Sequence, residues 1–243
     1  MMTEVEERPA SGLAEMVTLE KLSPGPRAAL DYLLDIDNVT GRVDYPFFVT
    51  KVLGHDFPEI WDPTVQKRLQ KTGEIFKDWA LTRHKQKKFR KVMFVNPRGT
   101  CKSAGTTIPL VPYAHLWDSE IAAMVMSAAY EKMALKFAGT VRQVWNGESP
   151  TSRLTDLYGS FEPENKRNRA WSTDKMVTQR REQLAHADPT LAAYSVMQGP
   201  TSGHFKLAIF DDPVTEELME RDQNWLEKVW GAHFRMPYVL DNH

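Results

Sequence analysis

One stretch of this chain combines residue types that can hold a polyphosphate: Val95-Asn96-Pro97-Arg98-Gly99-Thr100-Cys101-Lys102-Ser103. It follows an apolar run and precedes a helix-like segment, the context of a phosphate-binding strand-to-helix loop. In such a loop the backbone N–H groups and the helix N-terminus form an anion hole. The Lys102 ammonium would reach the β- and γ-phosphates of ATP, and the Ser103 hydroxyl would ligate Mg²⁺. The nucleotide-binding set is therefore Asn96, Pro97, Arg98, Gly99, Thr100, Cys101, Lys102 and Ser103. The usual pattern has glycine where Asn96 and Cys101 stand. Asparagine tolerates unusual backbone angles. Cysteine at the second site is the larger departure, because phosphate approaches the backbone there. The plainer alternative is a strand-to-helix turn with a solvated lysine.

A second signature lies downstream. The apolar run Lys206–Phe210 ends in Asp211-Asp212-Pro213. A carboxylate at a strand's carboxyl end can hold magnesium, and a second can polarise an attacking water. Asp211 takes the first role and Asp212 the second, as the candidate catalytic base. Aspartate has one methylene less than the glutamate usual in that position, and Glu216 and Glu217 stand nearby as alternatives. Alone, Asp-Asp-Pro is a common turn. Two signatures in the right order on two strands carry more weight, since open parallel sheets bind ligands at strand carboxyl ends.

These residues require a scaffold. Val92–Val95, Ile121–Ser127 and Lys206–Phe210 read as strands. Helices are expected over Lys102–Trp117 and Tyr130–Trp145, the first short or kinked by Pro109 and Pro112. Alternation of strand and helix predicts an α/β fold with a parallel sheet sandwiched by helices and right-handed crossovers. Upstream, Pro26–Asp35, Tyr45–Val52 and Pro63–Lys85 read as a helical lobe, followed by the basic run His84–Arg90. Residues 146–172 read as a surface excursion, Thr173–Ala187 as strand or helix, Gln198–His204 as a loop, and Glu216–Trp230 as a helix. The expected divisions are a flexible tail over 1–25, a helical lobe over 26–90 and a nucleotide-binding core over 91–243.

Bulk composition narrows the classes. The chain has 243 residues, 42% hydrophobic and 26% charged, typical of a globular domain. A net charge of −1 argues against a globally basic nucleic-acid binder, so any DNA contact must be a local patch or come from other subunits. The one cysteine, Cys101, excludes an internal disulfide and suits a reducing compartment. No apolar run reaches the ~18 residues of a membrane span. The acidic, polar start lacks the features of a secretion signal.

The Pro97-Arg98-Gly99 loop with Lys102-Ser103, the segment Ser127-Ala128-Ala129-Tyr130-Glu131-Lys132-Met133-Ala134, and Ile209-Phe210-Asp211-Asp212-Pro213-Val214 resemble the large terminase subunit of tailed bacteriophages. The likeness spans roughly residues 57–240. It implies a P-loop NTPase of the RecA/ASCE-like type that hydrolyses ATP to drive double-stranded DNA through a portal protein into a capsid. It further implies a homo-oligomeric ring, commonly a pentamer, although the isolated chain is possible as a monomer. Other implied features are a small terminase subunit as partner, no membrane, and action in the host cell cytoplasm. By position, Arg98 becomes a catalytic loop arginine near the γ-phosphate beside Lys102 and Asp212, and Gln66 or Gln70 an adenine contact. The family continues into a coupling strand and a nuclease domain. Since the chain ends at His243, the expectation is an isolated N-terminal ATPase region, or the product of a split gene, without them.

A ring motor needs an arginine from the neighbouring protomer, and Arg142, Arg153, Arg167 and Arg169 are the candidates, each otherwise a surface charge. The run Asn165–Arg169 could instead meet DNA phosphates. The scattered histidines show no metal-ligand spacing, so zinc is not expected. Trp61, Trp79, Trp117 and Trp145 read as packing residues, and Cys101 as no nucleophile. Two other readings stay open. One is a different P-loop enzyme, such as a helicase-like ATPase or small-molecule kinase. The other is a non-catalytic module with a degenerate loop.

Overall fold

The computed structural model describes residues 36–37, 42–82, 100–127, 131–167, 169–182, 188–195 and 204–211, with positions 220, 224 and 227. Val92–Val95, Asn96–Gly99, Asp212, Pro213, Glu216, Glu217, most of the expected helix over Glu216–Trp230, the helix over 26–35 and the basic run fall outside these residues.

Strands β1 (Ile36–Asp37) and β2 (Arg42–Val43) pair antiparallel. Helix α1 (Tyr45–Phe47) runs on through a wide turn, Phe48–Val52, and a tight turn, Pro58–Trp61, follows. Helix α2 (Pro63–Thr82) begins where Asp62 Oδ1 accepts the Thr64 and Val65 N–H groups at 2.8 and 3.4 Å. This is a side-chain cap with proline at the first helical position, a favoured start. The α2 residues Val65, Arg68, Leu69, Thr72 and Phe76 are buried, at the spacing of one helical face. Gly73 lets α1 lie against that face, since a Cβ there would stand 2.7 Å from Tyr45 Cβ.

A second wide turn, Ser103–Thr107, leads into α3 (Ile108–Trp117). Pro109 lies in its first turn, and Pro112 lies inside the helix. Next come β3 (Ala123–Ser127), α4 (Glu131–Asn146), α5 (Leu154–Tyr158), β4 (Lys175–Met176), β5 (Leu191–Ser195) and β6 (Leu207–Asp211).

The four-stranded sheet has the order β4-β5-β3-β6. Strand β3 is parallel to both β5 and β6, while β4 is antiparallel to β5. The architecture is α/β, but the expected all-parallel sheet is corrected to a mixed one. The two-residue β4 extends an antiparallel turn at the edge, bridged by Trp171 to Met176, and so needs no crossover. β5 was not anticipated either. Its Ala192-Ala193 pair has little intrinsic strand preference, and its place between β3 and β4 overrides that.

β3 is buried on both faces, as a central parallel strand should be. One face carries Ala123, Val125, Leu191, Ala193 and Ile209 and joins a single apolar cluster that reaches back to Tyr45, Phe48 and Leu69. Helix α4 packs on β3 and β5, and α3 packs on α4. The other face carries Met124, Met126, Ala192 and Phe205. Trp145 is fully buried, and Trp79 and Trp117 pack against the core, but Trp61 is 47% exposed. The packing expectation for Trp61 is therefore corrected. Its indole N–H donates to Asp56 and Lys51 lies over its ring, so it is held at the surface by polar partners. No helix among the described residues is long and apolar enough to cross a membrane.

His115, near the end of α3, packs beside the rings of Trp145 and Phe161 and shares a 2.9 Å hydrogen bond with Thr178 Oγ1. Burial, aided by the charge of Arg180, pushes its pKa down to about 3. The neutral ring is the folded form, so this contribution is present above the unfolded value of about 6.5 and is lost as pH falls towards 3.

Two outcomes are expected. Gly73→Ala should destabilise by about 1–3 kcal/mol through overpacking against Tyr45, measured by denaturant unfolding with an unchanged m-value. Between pH 6 and 4, wild-type stability should fall more steeply than that of His115→Gln, by up to about 1.4 kcal/mol per pH unit. Parallel curves for the two proteins would remove His115 as the titrating group.

Candidate functional site

Asp211 is the last residue of β6 and pairs in register with Ser127, the last residue of the parallel β3. Its carboxylate thus stands at the carboxyl edge of the sheet, where the strands of an open α/β sheet present ligands. It is 5% exposed. A buried carboxylate needs partners, and two come from the segment that opens into α3. The Ser103 hydroxyl donates to Asp211 Oδ2 at 2.9 Å, across 108 residues of chain. Lys102 Nζ lies 3.7 Å from Asp211 Oδ1. The ammonium is 30% exposed and so borders both carboxylate and solvent.

The local backbone explains how this segment reaches the sheet edge. Cys101 has φ 53°, the only positive φ at a non-glycine residue among those described. Lys102 then adopts helical angles, and the Gly105 N–H donates to the Cys101 carbonyl at 2.7 Å. The left-handed residue turns the chain sharply, so that Lys102 and Ser103 start the helical segment pointing at Asp211. This conformation is natural to glycine and costs about 1–2 kcal/mol for a residue with a Cβ. Cysteine thus occupies the glycine position of the loop pattern while keeping the backbone angle a glycine would take. Burial pushes the Cys101 thiol up, reinforced by the Glu59 carboxylate and opposed by Arg68. A protonated thiol is a poor nucleophile.

Three side chains that the sequence reading did not single out, all between Tyr45 and Arg68, hold the same segment. Arg68 Nη2 donates to the Thr100 carbonyl at 2.6 Å, and Nη1 lies 3.4 Å from Thr100 Oγ1. His55 Nδ1 is 2.6 Å from the Ala104 carbonyl, and the Tyr45 hydroxyl donates to the Gly105 carbonyl at 3.0 Å. Desolvation lowers the His55 pKa, which keeps the ring neutral with Nδ1–H available for that carbonyl. Gly105 makes room for this packing, because a Cβ there would meet Leu69 Cδ2 at 3.0 Å and Arg68 Nη2 at 3.3 Å. The signal for Arg68 was present in the sequence: a charged residue at a helix position three after Val65 and one before Leu69, on the stripe that also holds Phe76.

Of the expected site residues, Thr100, Cys101, Lys102, Ser103 and Asp211 come together here. Asn96, Pro97, Arg98, Gly99 and Asp212 lie outside the described residues. Gln66 Nε2 donates to the Ile60 carbonyl at 2.7 Å, and Gln70 is exposed on α2. Among the arginines, Arg169 is anchored on the carbonyls of Thr178 and Arg181, a structural role. Arg142 is half-buried, and Arg153 and Arg167 are exposed.

The oxygens of Ser103 and Asp211 suit a hard cation. Octahedral magnesium, with bonds of about 2.0–2.1 Å, has adjacent ligand oxygens about 2.9 Å apart, as these two are. Magnesium is commonly held by one or two carboxylates plus substrate phosphates, so one hydroxyl and one carboxylate fit it. Neither a scan against protein-family models nor a search of curated proteins returns a match to this chain.

Substitution at Cys101 tests the backbone argument. Cys101→Val adds a β-branch at a left-handed φ and should lose about 1–2 kcal/mol. Cys101→Gly should melt close to wild type. Equal losses for both variants in thermal melts would show that the backbone angle is not what limits this position.

Proposed function

We propose that this chain binds Mg²⁺·ATP at the Lys102–Ser103–Asp211 site as a P-loop NTPase of the RecA/ASCE-like type and hydrolyses the nucleotide to move double-stranded DNA. The observation that supports the reading best is the 2.9 Å hydrogen bond from Ser103 to Asp211, with Lys102 beside it. Lys102 and Ser103 of one sequence signature and Asp211 of the other, far apart in the chain, lie together at one sheet edge. Lys102 would neutralise terminal phosphate charge. Ser103 and Asp211 would hold magnesium, which would offset the charge that develops in phosphoryl transfer. Asp212 would orient the attacking water and Arg98 would approach the γ-phosphate. Gln66 remains the proposed adenine contact.

The resemblance to large terminase subunits gives the work this hydrolysis would drive: packaging of viral DNA through a portal protein into a procapsid. In that setting the chain would act in the host cell cytoplasm, in a homo-oligomeric ring with a small terminase subunit as partner. The division into a tail over 1–25, a lobe over 26–90 and a core over 91–243 belongs to the same proposal. Exposed Arg153 and Arg167 are the better placed of the four arginines to reach a neighbour. The mechanism needs one, since a trans-acting arginine raises turnover by about 10³–10⁵.

Lys102→Ala should reduce ATP hydrolysis about 100-fold or more; activity within a few-fold of wild type would remove Lys102 from the site. Asp211→Asn should weaken nucleotide binding only when magnesium is present, and identical titrations with and without the ion would refute its role. Turnover per protomer should rise with protein concentration and with added duplex DNA. A rate indifferent to both points to a small-molecule kinase, and binding without turnover to a non-catalytic module.

A further inference from the structure

We infer that Arg68 is a positioning residue of the phosphate loop: from the helical lobe, its buried guanidinium clamps Thr100 and so holds Cys101 and Lys102 in the conformation that receives a triphosphate. The inference rests on the nucleotide reading proposed above and deepens it.

Four observations carry it. Arg68 is 9% exposed, far more buried than arginine usually is. Its two terminal nitrogens face the carbonyl and hydroxyl of one residue, Thr100, immediately before the left-handed Cys101. Its Nε is buried without a hydrogen-bond partner. Among the described residues no carboxylate lies within ion-pair distance of it. A buried cation without an anion is costly. A guanidinium placed only to stabilise the fold would be expected to have a carboxylate beside it. Here it sits against the backbone of the segment that would cradle phosphate, where an incoming triphosphate would add negative charge.

The fork geometry matters as much as the charge. Guanidinium presents rigid, parallel donors, so it can fix both the carbonyl and the hydroxyl of Thr100 at once. Fixing Thr100 limits the freedom of the next peptide and helps hold Cys101 at its left-handed φ. His55 on the Ala104 carbonyl and Tyr45 on the Gly105 carbonyl pin the far side. Lys102 and Ser103 are then held between two anchored points. A loop ordered before binding loses less conformational entropy when the ligand arrives.

The test compares wild type, Arg68→Met, Arg68→Lys and Lys102→Ala for Mg²⁺·ATP affinity by calorimetry, with thermal melts on each protein. Methionine keeps most of the apolar stem and removes the fork and the charge. Lysine restores the charge and one donor. The expected order is wild type, then Arg68→Lys about three-fold weaker, then Arg68→Met about ten-fold weaker or more, the range for losing a charged hydrogen bond. Hydrolysis at saturating nucleotide should also fall, because a displaced loop misplaces Lys102. A folded Arg68→Met that binds within two-fold of wild type overturns the inference while the nucleotide reading stands. If Arg68→Met does not fold, Arg68→Lys decides: wild-type affinity in the folded lysine variant overturns it equally. If wild type itself binds no Mg²⁺·ATP, the reading of the site fails and the positioning role falls with it.

Discussion

A carboxylate at the end of a buried strand must find partners in a place where water cannot supply them. Asp211 is that group, and the Ser103 hydroxyl and Lys102 ammonium are its partners. Much of the architecture follows from bringing them together. Parallel pairing of β6 with β3 puts Asp211 at the carboxyl edge of the sheet. The wide turn before α3 starts the helical segment at that same edge. If the strand were shifted by one residue, its side chains would exchange faces, and both the apolar face and the carboxylate would be misplaced.

The arrangement is braced from outside the sheet. One apolar cluster runs from Tyr45 in α1 through α2 and α3 to Ile209 in β6. Across it, Tyr45, His55 and Arg68 reach three carbonyls between Thr100 and Gly105. Close approach at Gly73 and Gly105 makes this possible, since a methyl group at either place would meet a neighbour at 2.7–3.0 Å. The upstream helices therefore act as a mould for the loop. The left-handed backbone at Cys101 is kept in place by these surrounding contacts.

A mixed α/β sheet hosts many chemistries, so the fold alone does not name this one. The proposed reaction depends instead on which atoms converge: an ammonium that can meet phosphate, and a hydroxyl and a carboxylate that can meet magnesium. With a net charge of −1, the proposed DNA motor would have to make its DNA contacts locally or share them among subunits.

The sequence by itself determined the local features. The turn at residues 100–103, the acidic strand end, the helices over α2 and α4 and the strands β3 and β6 could all be read from short-range patterns, because periodicity and turn chemistry are local properties. Tertiary structure alone decided the rest. It made β5 a strand despite Ala192-Ala193, because a neighbouring ladder supplies hydrogen bonds that propensity cannot count. It turned β4 antiparallel, kept Trp61 at the surface, and buried Arg68 beneath Thr100. Above all it set the separation of Ser103 and Asp211, since contact across 108 residues depends on how strands and helices pack and not on any neighbour in the chain.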